Sequence, residues 1–453
     1  MNVAKRFAHP FVSFLPIFVS VILWSLPLWS QALPGDNAVY NTGGAVTYSH
    51  AFIDASQLGA GDICANINLA LKQLSNTMQG GALVYNLQGL VDARGVPTAN
   101  YLNCSMNPWV LPAPTNGWPA AIILLPAGTI TTPATWTLPA YTRLTGEGSG
   151  LTILSAGSGL TGEIISMGQS SSHYCPNVMN GPDCVGVVIE HLELNANGSP
   201  NVIGIANYYS QELSRVNDVS IVGIGNGGVG LDLSAFGDNS GPYTNIYVSG
   251  NSNTVNEGCA RITGASNTDS RGIHGLTCNT TGMVCNSGSN SASICLDASS
   301  TTIEDVTFTG SSTDGILVGS MLAAQGNVLL NISGSNGQTN VIELSNNQTG
   351  NGDITILGAT GPGGSVNTIK DDLTSTNLTD ATVGLYIVGE PMFTGAYSRF
   401  TTSTSLPTWL IGQNQPAGSC AVGDLYSATS AGSFWGCINP PPKTPQWVPI
   451  PTH

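Results

Sequence analysis

Charge is what this sequence has least of. Of its 453 residues only 8% are Asp, Glu, Lys or Arg, and 11 are basic. A surface so poor in ions makes its polar contacts through amides and hydroxyls. No cluster of Lys and Arg is present to neutralise phosphates, and the net charge is −15, which argues against a nucleic-acid partner. Helical periodicity is nearly missing beyond residue 185, which excludes leucine-rich, ankyrin and similar helix-bearing repeats. After residue 32 no apolar run is long enough to span a bilayer. The ten cysteines include no Cys-x-x-Cys pair and have no neighbouring His cluster, so zinc is a poor fit. Gly-x-Ser-x-Gly, His-Glu-x-x-His and Walker sequences are absent as well.

What is present is repetition. Eight times between Val185 and Gly389, two apolar residues flank one other residue and a Gly/Asn/Ser-rich turn follows. The pairs are Leu192/Leu194, Val219/Ile221, Ile246/Val248, Leu276/Cys278, Val306/Phe308, Leu330/Ile332, Ile354/Ile356 and Leu385/Ile387, offset by 27, 27, 30, 30, 24, 24 and 31 residues. Period-two alternation predicts strands, and a repeat of this length predicts a solenoid. A second series follows each pair by about ten residues: Ile203-Gly-Ile205, Val229-Gly-Leu231, Ile294-Cys-Leu296, Ile316-Leu-Val318 and Ile342-Glu-Leu344. Each coil then carries at least two short strands. Coils stacked at ~4.8 Å put their apolar residues in columns, which makes a parallel β-helix the expected fold within an all-β class.

Residues 1–32 read as a secretory signal, with Lys5 and Arg6 at its start, an apolar core from Phe11 to Trp29, and Ser30-Gln31-Ala32 as the cleavage site. The alternative is an uncleaved anchor. Export places the protein outside the cell, secreted or on its surface, and favours disulfides. Neighbour pairing gives Cys64–Cys104, Cys175–Cys184, Cys259–Cys278, Cys285–Cys295 and Cys420–Cys437, although sequence alone leaves other connectivities open. In the segment 33–156, Asp62 is placed to cap a helix with Ile63, Ile67, Ala70, Leu71 and Leu74 on one face and Gly80-Gly81 beyond it. Short strands are expected at Leu83–Tyr85, Gly89–Asp92 and Ile122–Leu125. Such a helix would cover the open end of the solenoid, the repeats of which fill 157–389. Residues 390–453 lack the repeat. There Cys420 and Cys437 bracket a hairpin-like stretch, and Trp409, Trp435 and Trp447 either add aromatic surface or belong to a stapled cap.

Leu124-Leu-Pro-Ala-Gly-Thr-Ile130, followed by Leu138-Pro-Ala-Tyr-Thr-Arg-Leu-Thr-Gly-Glu-Gly-Ser-Gly-Leu-Thr-Ile-Leu154, resembles the amino-terminal signature of the pectate-lyase-like superfamily. The resemblance covers about Phe52 to Ala156. It implies a right-handed, single-stranded parallel β-helix of the pectin-lyase-like kind. The acidic run that usually precedes the helix in that family is here Gly59-Ala-Gly-Asp-Ile-Cys64, a departure from the pattern. The superfamily includes lyases, hydrolases, epimerases and phage tailspikes, so the fold alone does not assign an activity. A polysaccharide is the partner it implies, with Ca²⁺ the cofactor it allows. The acidity of this chain opposes a polyanion such as pectate unless Ca²⁺ or a local arginine intervenes. Tailspikes form trimers, but nothing in these residues decides the oligomeric state.

Candidate chemistry is thin. Gly223-Ile-Gly-Asn-Gly-Gly228 has dinucleotide-type spacing but runs into another strand, so no helix end is there to cradle phosphate. The acidic motifs of pectinolytic hydrolases cannot be placed together, and Gly272-Ile-His-Gly275 is only a distant echo of one. Glycan cleavage needs paired carboxylates, or a basic residue helped by a metal. Strand alternation in the second series turns Asp232, Asp297 and Glu343 outward, with Arg261 on the coil between the first two. Asp232, Arg261 and Asp297 are the catalytic candidates, against the plainer reading of a solvated acidic ladder relieved by Arg261. Glu343 and the Asp371-Asp372 pair are candidates for substrate binding. Glu190, His191 and Glu193 form a polar cluster that Arg215, Glu212 and Asp218 face one coil later, and His173, His191 and His274 read as turn or surface residues. Two classes of function remain: an exported polysaccharide lyase or glycoside hydrolase, and a non-catalytic glycan-binding or adhesive solenoid. A purely structural repeat is the third.

Overall fold

Alternation does produce strands, and they stack. The structure, a computed structural model, describes residues 52–77, 89–97, 103–114, 117–169, 174–175, 184–234, 240–251, 254–263, 270–285, 291–298, 300–319, 327–344, 354–362, 366–371, 385–388, 409–412, 425–428, 433–438 and 446–450. The expected leader, the strand at Leu83–Tyr85, Gly80-Gly81, His173, Asp372 and the Cys420–Cys437 pairing lie outside these residues. Among them, fourteen strands make one sheet and ten a second, and four more form a small sheet near the carboxyl terminus.

The long sheet takes one strand from each coil, including Val188–Asn195, Arg215–Ile224, Tyr243–Gly250, Ser270–Asn279, Thr301–Phe308, Asn327–Ser333, Ile354–Leu357 and Leu385–Val388, all paired in parallel. The second takes Val202–Ala206, Val229–Ser234, Gly258–Thr263, Ser291–Asp297, Asp314–Val318, Asn340–Leu344 and Asn367–Asp371, also parallel. The chain alternates between the two sheets, so it winds as a right-handed, single-stranded parallel β-helix.

Register turns the sequence repeat into columns. Leu192, Val219, Ile246, Leu276, Val306 and Ile332 stand in one, and Leu194, Ile221, Val248, Cys278 and Phe308 in the next. All are buried, and full burial of such a side chain contributes roughly 1.5–3 kcal/mol. The repeat reading slips in the last copies. Ile332, not Leu330, lies in line with Val306, while Leu330 stands opposite Glu304 and is only half-buried. Ile356 is opposite Leu329, two columns from where the pattern puts it.

The cause of the slip is a bend that breaks the alternation. His191, Asp218, Asn245, Asp305 and Asn331 have left-handed backbones with φ between 51° and 56°, and Gly275 and Gly358 have φ of 76° and 71°. The register puts all seven in a single column. Asn, Asp and Gly tolerate this region best, and here they fill six of the seven places.

A second bend lies in the other sheet. A Cβ on Gly230 would sit 2.6 Å from Val248 Cγ1, and one on Gly315 would sit 2.7 Å from Phe308, so both positions face the core. Their neighbours Leu231 and Ile316 are buried in the same core. Two adjacent residues thus turn inward on each strand, and outward residues three apart come together on the outside.

The helix Ile63–Thr77 packs Ile63, Ile67, Ala70, Leu71 and Leu74 with none of their surface exposed. Asp62 caps it: one carboxylate oxygen accepts from the Ala65 N–H at 2.8 Å and the other from Ser105 Oγ at 2.6 Å. Disulfides join Cys64 to Cys104, Cys175 to Cys184, Cys259 to Cys278 and Cys285 to Cys295. Near the carboxyl terminus, Leu425–Ala428 and Ser433–Ile438 form an antiparallel hairpin.

Because the atoms facing Gly230 include the backbone oxygen of Cys259 at 2.8 Å, the neighbouring coil cannot yield cheaply. Gly230→Val is expected to cost about 1–3 kcal/mol, read as a lower urea midpoint at unchanged slope.

Candidate functional site

The outer face of the long sheet is the first place to look. Just before the left-handed column stand Glu190, Asn217, Thr244, His274 and Glu304, and just after it Glu193, Ser220, Tyr247, Thr277 and Thr307. Coil-to-coil pairs order this face. His274 Nδ1 lies 2.8 Å from Glu304 Oε2, His191 Nδ1 lies 2.8 Å from Asp218 Oδ2, and Thr244 Oγ1 donates to Asn217 Oδ1 at 2.6 Å. Asn331 Nδ2 donates to Asp305 Oδ1 at 2.6 Å. Tyr247 stands 38% exposed among them, and burial pushes the Glu193 carboxyl above its ordinary range. The loop at Ser149 edges the face, its hydroxyl 2.6 Å from that of Ser220.

The expected cluster around Glu190 divides in two. Glu190 is buried and accepts from Arg143 Nε at 2.6 Å and Thr145 Oγ1 at 3.0 Å, so the arginine of the amino-terminal signature holds it. His191 instead meets Asp218 on the next coil. His274 was read as a turn or surface residue; its carboxylate partner, which orients the ring, comes from thirty residues further on.

Asp232, Arg261 and Glu343 occupy the second sheet. Register places Asp232, Arg261, Cys295, Leu317, Glu343 and Lys370 in one column. Asp297 is not in it. Asp297 pairs in register with Thr263, two coils and two residues from Asp232, which is roughly 12 Å at the backbone. The single flank expected for Asp232 and Asp297 is corrected by this register.

Asp232 is 1% exposed and grips the Arg261 guanidinium through both oxygens, Nε to Oδ1 at 3.2 Å and Nη2 to Oδ2. Tyr208 donates to Oδ2 at 3.0 Å. The hydrogen bond that Arg261 itself makes to Asp232 strengthens its hold on its proton, while burial and then the carboxylate push the Tyr208 hydroxyl well above its ordinary range. Further along, the apolar residues Val229, Ala292, Cys295 and Leu317 are covered by Met283 and Cys285 from a small hairpin that the Cys285–Cys295 bond staples.

Beyond that hairpin lies a set the sequence only half shows. Asn340 Nδ2 donates both to Asp314 Oδ1 at 2.6 Å and to Glu343 Oε2 at 3.0 Å. Lys370 Nζ donates to the same Glu343 oxygen at 3.2 Å, and Asn367 Nδ2 donates to Asn340 Oδ1 at 2.8 Å. Asp314 precedes a Gly and looks like a turn residue, so its burial had no sequence signal. Asp371 stands in register with Leu344. Among the described residues, only Asp62, Cys64 and Cys104 gather three groups of metal-ligating type, and those two cysteines form a disulfide.

No protein family's sequence profile matches the chain, and no curated protein sequence does. Solved structures similar to it include the A-modules of two mannuronan C-5 epimerases of Azotobacter vinelandii. AlgE4 is 12% identical with a TM-score of 0.35, covering 75% of this chain and 96% of that one. AlgE6 is 13% identical at 0.29, covering 75% and 99%. ORF18 of Geobacillus virus E2 is 12% identical at 0.38, covering 88% and 86%.

Burial pushes the Asp314 carboxyl up from 3.8 to about 7, and Glu343 beside it adds to the rise. Asn340 and the Lys370 ammonium oppose that rise from the following coils, and Ala292 on the preceding strand brings no charge. Between those pH values the folded chain keeps a proton that the unfolded chain has lost. Stability is therefore expected to fall as pH rises from about 4 to about 7 and to level off above. Melting temperatures across this range should show the slope in the wild type and a flatter profile in Asp314→Asn.

Proposed function

We propose that this chain is an exported member of the pectate-lyase-like superfamily that holds a polysaccharide along the outer face of its long sheet. The carrying observation is the register. Five coils in succession present Glu193, Ser220, Tyr247, Thr277 and Thr307 at one height, at ~4.8 Å per coil. Hydroxyls, one carboxyl group and one exposed ring in a row suit sugar hydroxyls and the apolar face of a pyranose. A strip that runs on from coil to coil suits an extended polymer better than a small molecule, which needs a concave pocket. The reading includes removal of a leader ending at Ala32, and a carboxyl-terminal segment from residue 390 that acts as a cap.

A second reading, catalysis, is favoured by the His274–Glu304 pair: an imidazole oriented by a carboxylate on a ligand-facing strip can move a proton. Catalysis by Asp232, Arg261 and Asp297, with Glu343, Asp371 and Asp372 binding substrate, would instead need the polymer along the second sheet. Ca²⁺ enters only if the polymer is anionic.

Retention of the mature protein on a panel of immobilised polysaccharides tests the first reading. Tyr247→Ala should weaken retention about fivefold, the equivalent of about 1 kcal/mol of ring contact. Failure of the wild type to bind any polymer sinks the proposal. For the second reading, new reducing ends or unsaturated-uronide absorbance should appear with the wild type. They should vanish in His274→Ala while retention stays within twofold.

A further inference from the structure

The set around Glu343 has a chemistry that glycan binding does not use. Lys370 and Asn340 sit on adjacent parallel strands, and one oxygen, Glu343 Oε2, accepts from both the Lys370 amine and the Asn340 side-chain amide. An amine and a carboxamide are thus gathered at a single carboxyl group. Asn367 donates to the carbonyl oxygen of that same amide, and Asp314 contacts its nitrogen. Asp314, Asn340 and Glu343 are 0%, 1% and 4% exposed, so bulk water competes little with the contacts among them, while the Lys370 side chain reaches them from the partly exposed edge.

We propose that Lys370 and Asn340 join through an intramolecular amide bond, formed by the folded chain itself. Glu343 takes a proton from the Lys370 ammonium, leaving a neutral amine. The lone pair on Nζ attacks Cγ of Asn340, and the carbonyl electrons move to Oδ1, where the Asn367 N–H stabilises the charge. A second Nζ proton passes through the carboxyl groups to Nδ2, the Cγ–Nδ2 bond breaks, and ammonia leaves. The proton on Glu343 goes with it, so that ammonium is released overall. One C–N bond forms and one breaks, with no oxidant, reductant or cofactor consumed.

Each neighbour has a part. Burial holds the Asp314 carboxyl up at about 7, so at neutral pH a substantial share of the molecules carry a proton there, within reach of the departing nitrogen. Lysine is a nucleophile once deprotonated, whereas the guanidinium of Arg261, in the same column beside Asp232, is not. The product would tie two coils covalently through residues 30 positions apart in the chain, Asn340 and Lys370.

Mass spectrometry of the full-length secreted protein tests the bond. The expected intact mass lies one ammonia below that of the mature chain with its disulfides. Cleavage after Glu343 separates Asn340 from Lys370 in the chain, so after reduction their peptides should remain joined, and trypsin should fail to cut after Lys370. Lys370→Arg and Asn340→Ala should each restore the lost mass and release the peptides. Glu343→Gln, with both reacting groups intact, should slow linkage at least tenfold. Full mass and separate peptides in the wild type, after incubation at neutral pH, overturn the proposal, and this reading needs no variant to fold. Linkage in Glu343→Gln at the wild-type rate overturns the part given to Glu343.

Discussion

Coil-to-coil hydrogen bonding is the constraint on which the rest of this molecule depends. In a parallel β-helix each strand finds its backbone partners only in the coils directly before and after it. Every coil must therefore bend at the same places, or the ladder is lost. The left-handed column from His191 to Gly358 and the paired inward residues at Gly230/Leu231 and Gly315/Ile316 are two such places. Turns between them vary in length because they lie outside the ladder, which is why residues in register from Leu192 onward are 26 to 31 residues apart.

The same constraint distributes the polar groups. With few charges available, pairs form between coils at fixed register rather than along the chain: Arg143 with Glu190, His191 with Asp218, His274 with Glu304, Arg261 with Asp232 and Lys370 with Glu343. On the long sheet the two histidine pairs are half exposed and border an open strip, while Glu190 is buried under Arg143. On the second sheet the bend folds outward residues three apart towards each other, and the carboxylates of the pairs become buried while their cations stay partly exposed. Low charge density and buried ion pairs are compatible here because each carboxylate meets its cation and a further hydrogen-bond donor. The proposed polysaccharide association belongs to the open strip, and the proposed self-linkage to the corner around Glu343.

Much of the solenoid was legible. The pairs from Leu192/Leu194 to Val306/Phe308 fall in line as read, because there the left-handed residue lies outside the apolar pair and leaves its alternation intact. Leu330/Ile332 was misread because Asn331 is itself the bend, so the apparent alternation spans a reversal of facing. The helix and its Asp62 cap were readable from spacing alone, since both depend on neighbours within a few residues. Asp297 was misplaced by two residues because register across coils depends on loop length, which the pattern does not record.

By itself the sequence determined the class of fold, the apolar columns and the helix, all of which follow from periodicity and local hydrogen bonding. It also named Asp232, Arg261 and Glu343 as outward groups of the second sheet. Only the tertiary structure decided what those groups meet. Asp232 and Arg261 are one residue type each until register makes them a pair, and Asp314, Asn340, Glu343, Asn367 and Lys370 are scattered over three coils until the bend closes them together. The physical reason is that periodicity is a property of one strand, whereas register and bends belong to the whole stack.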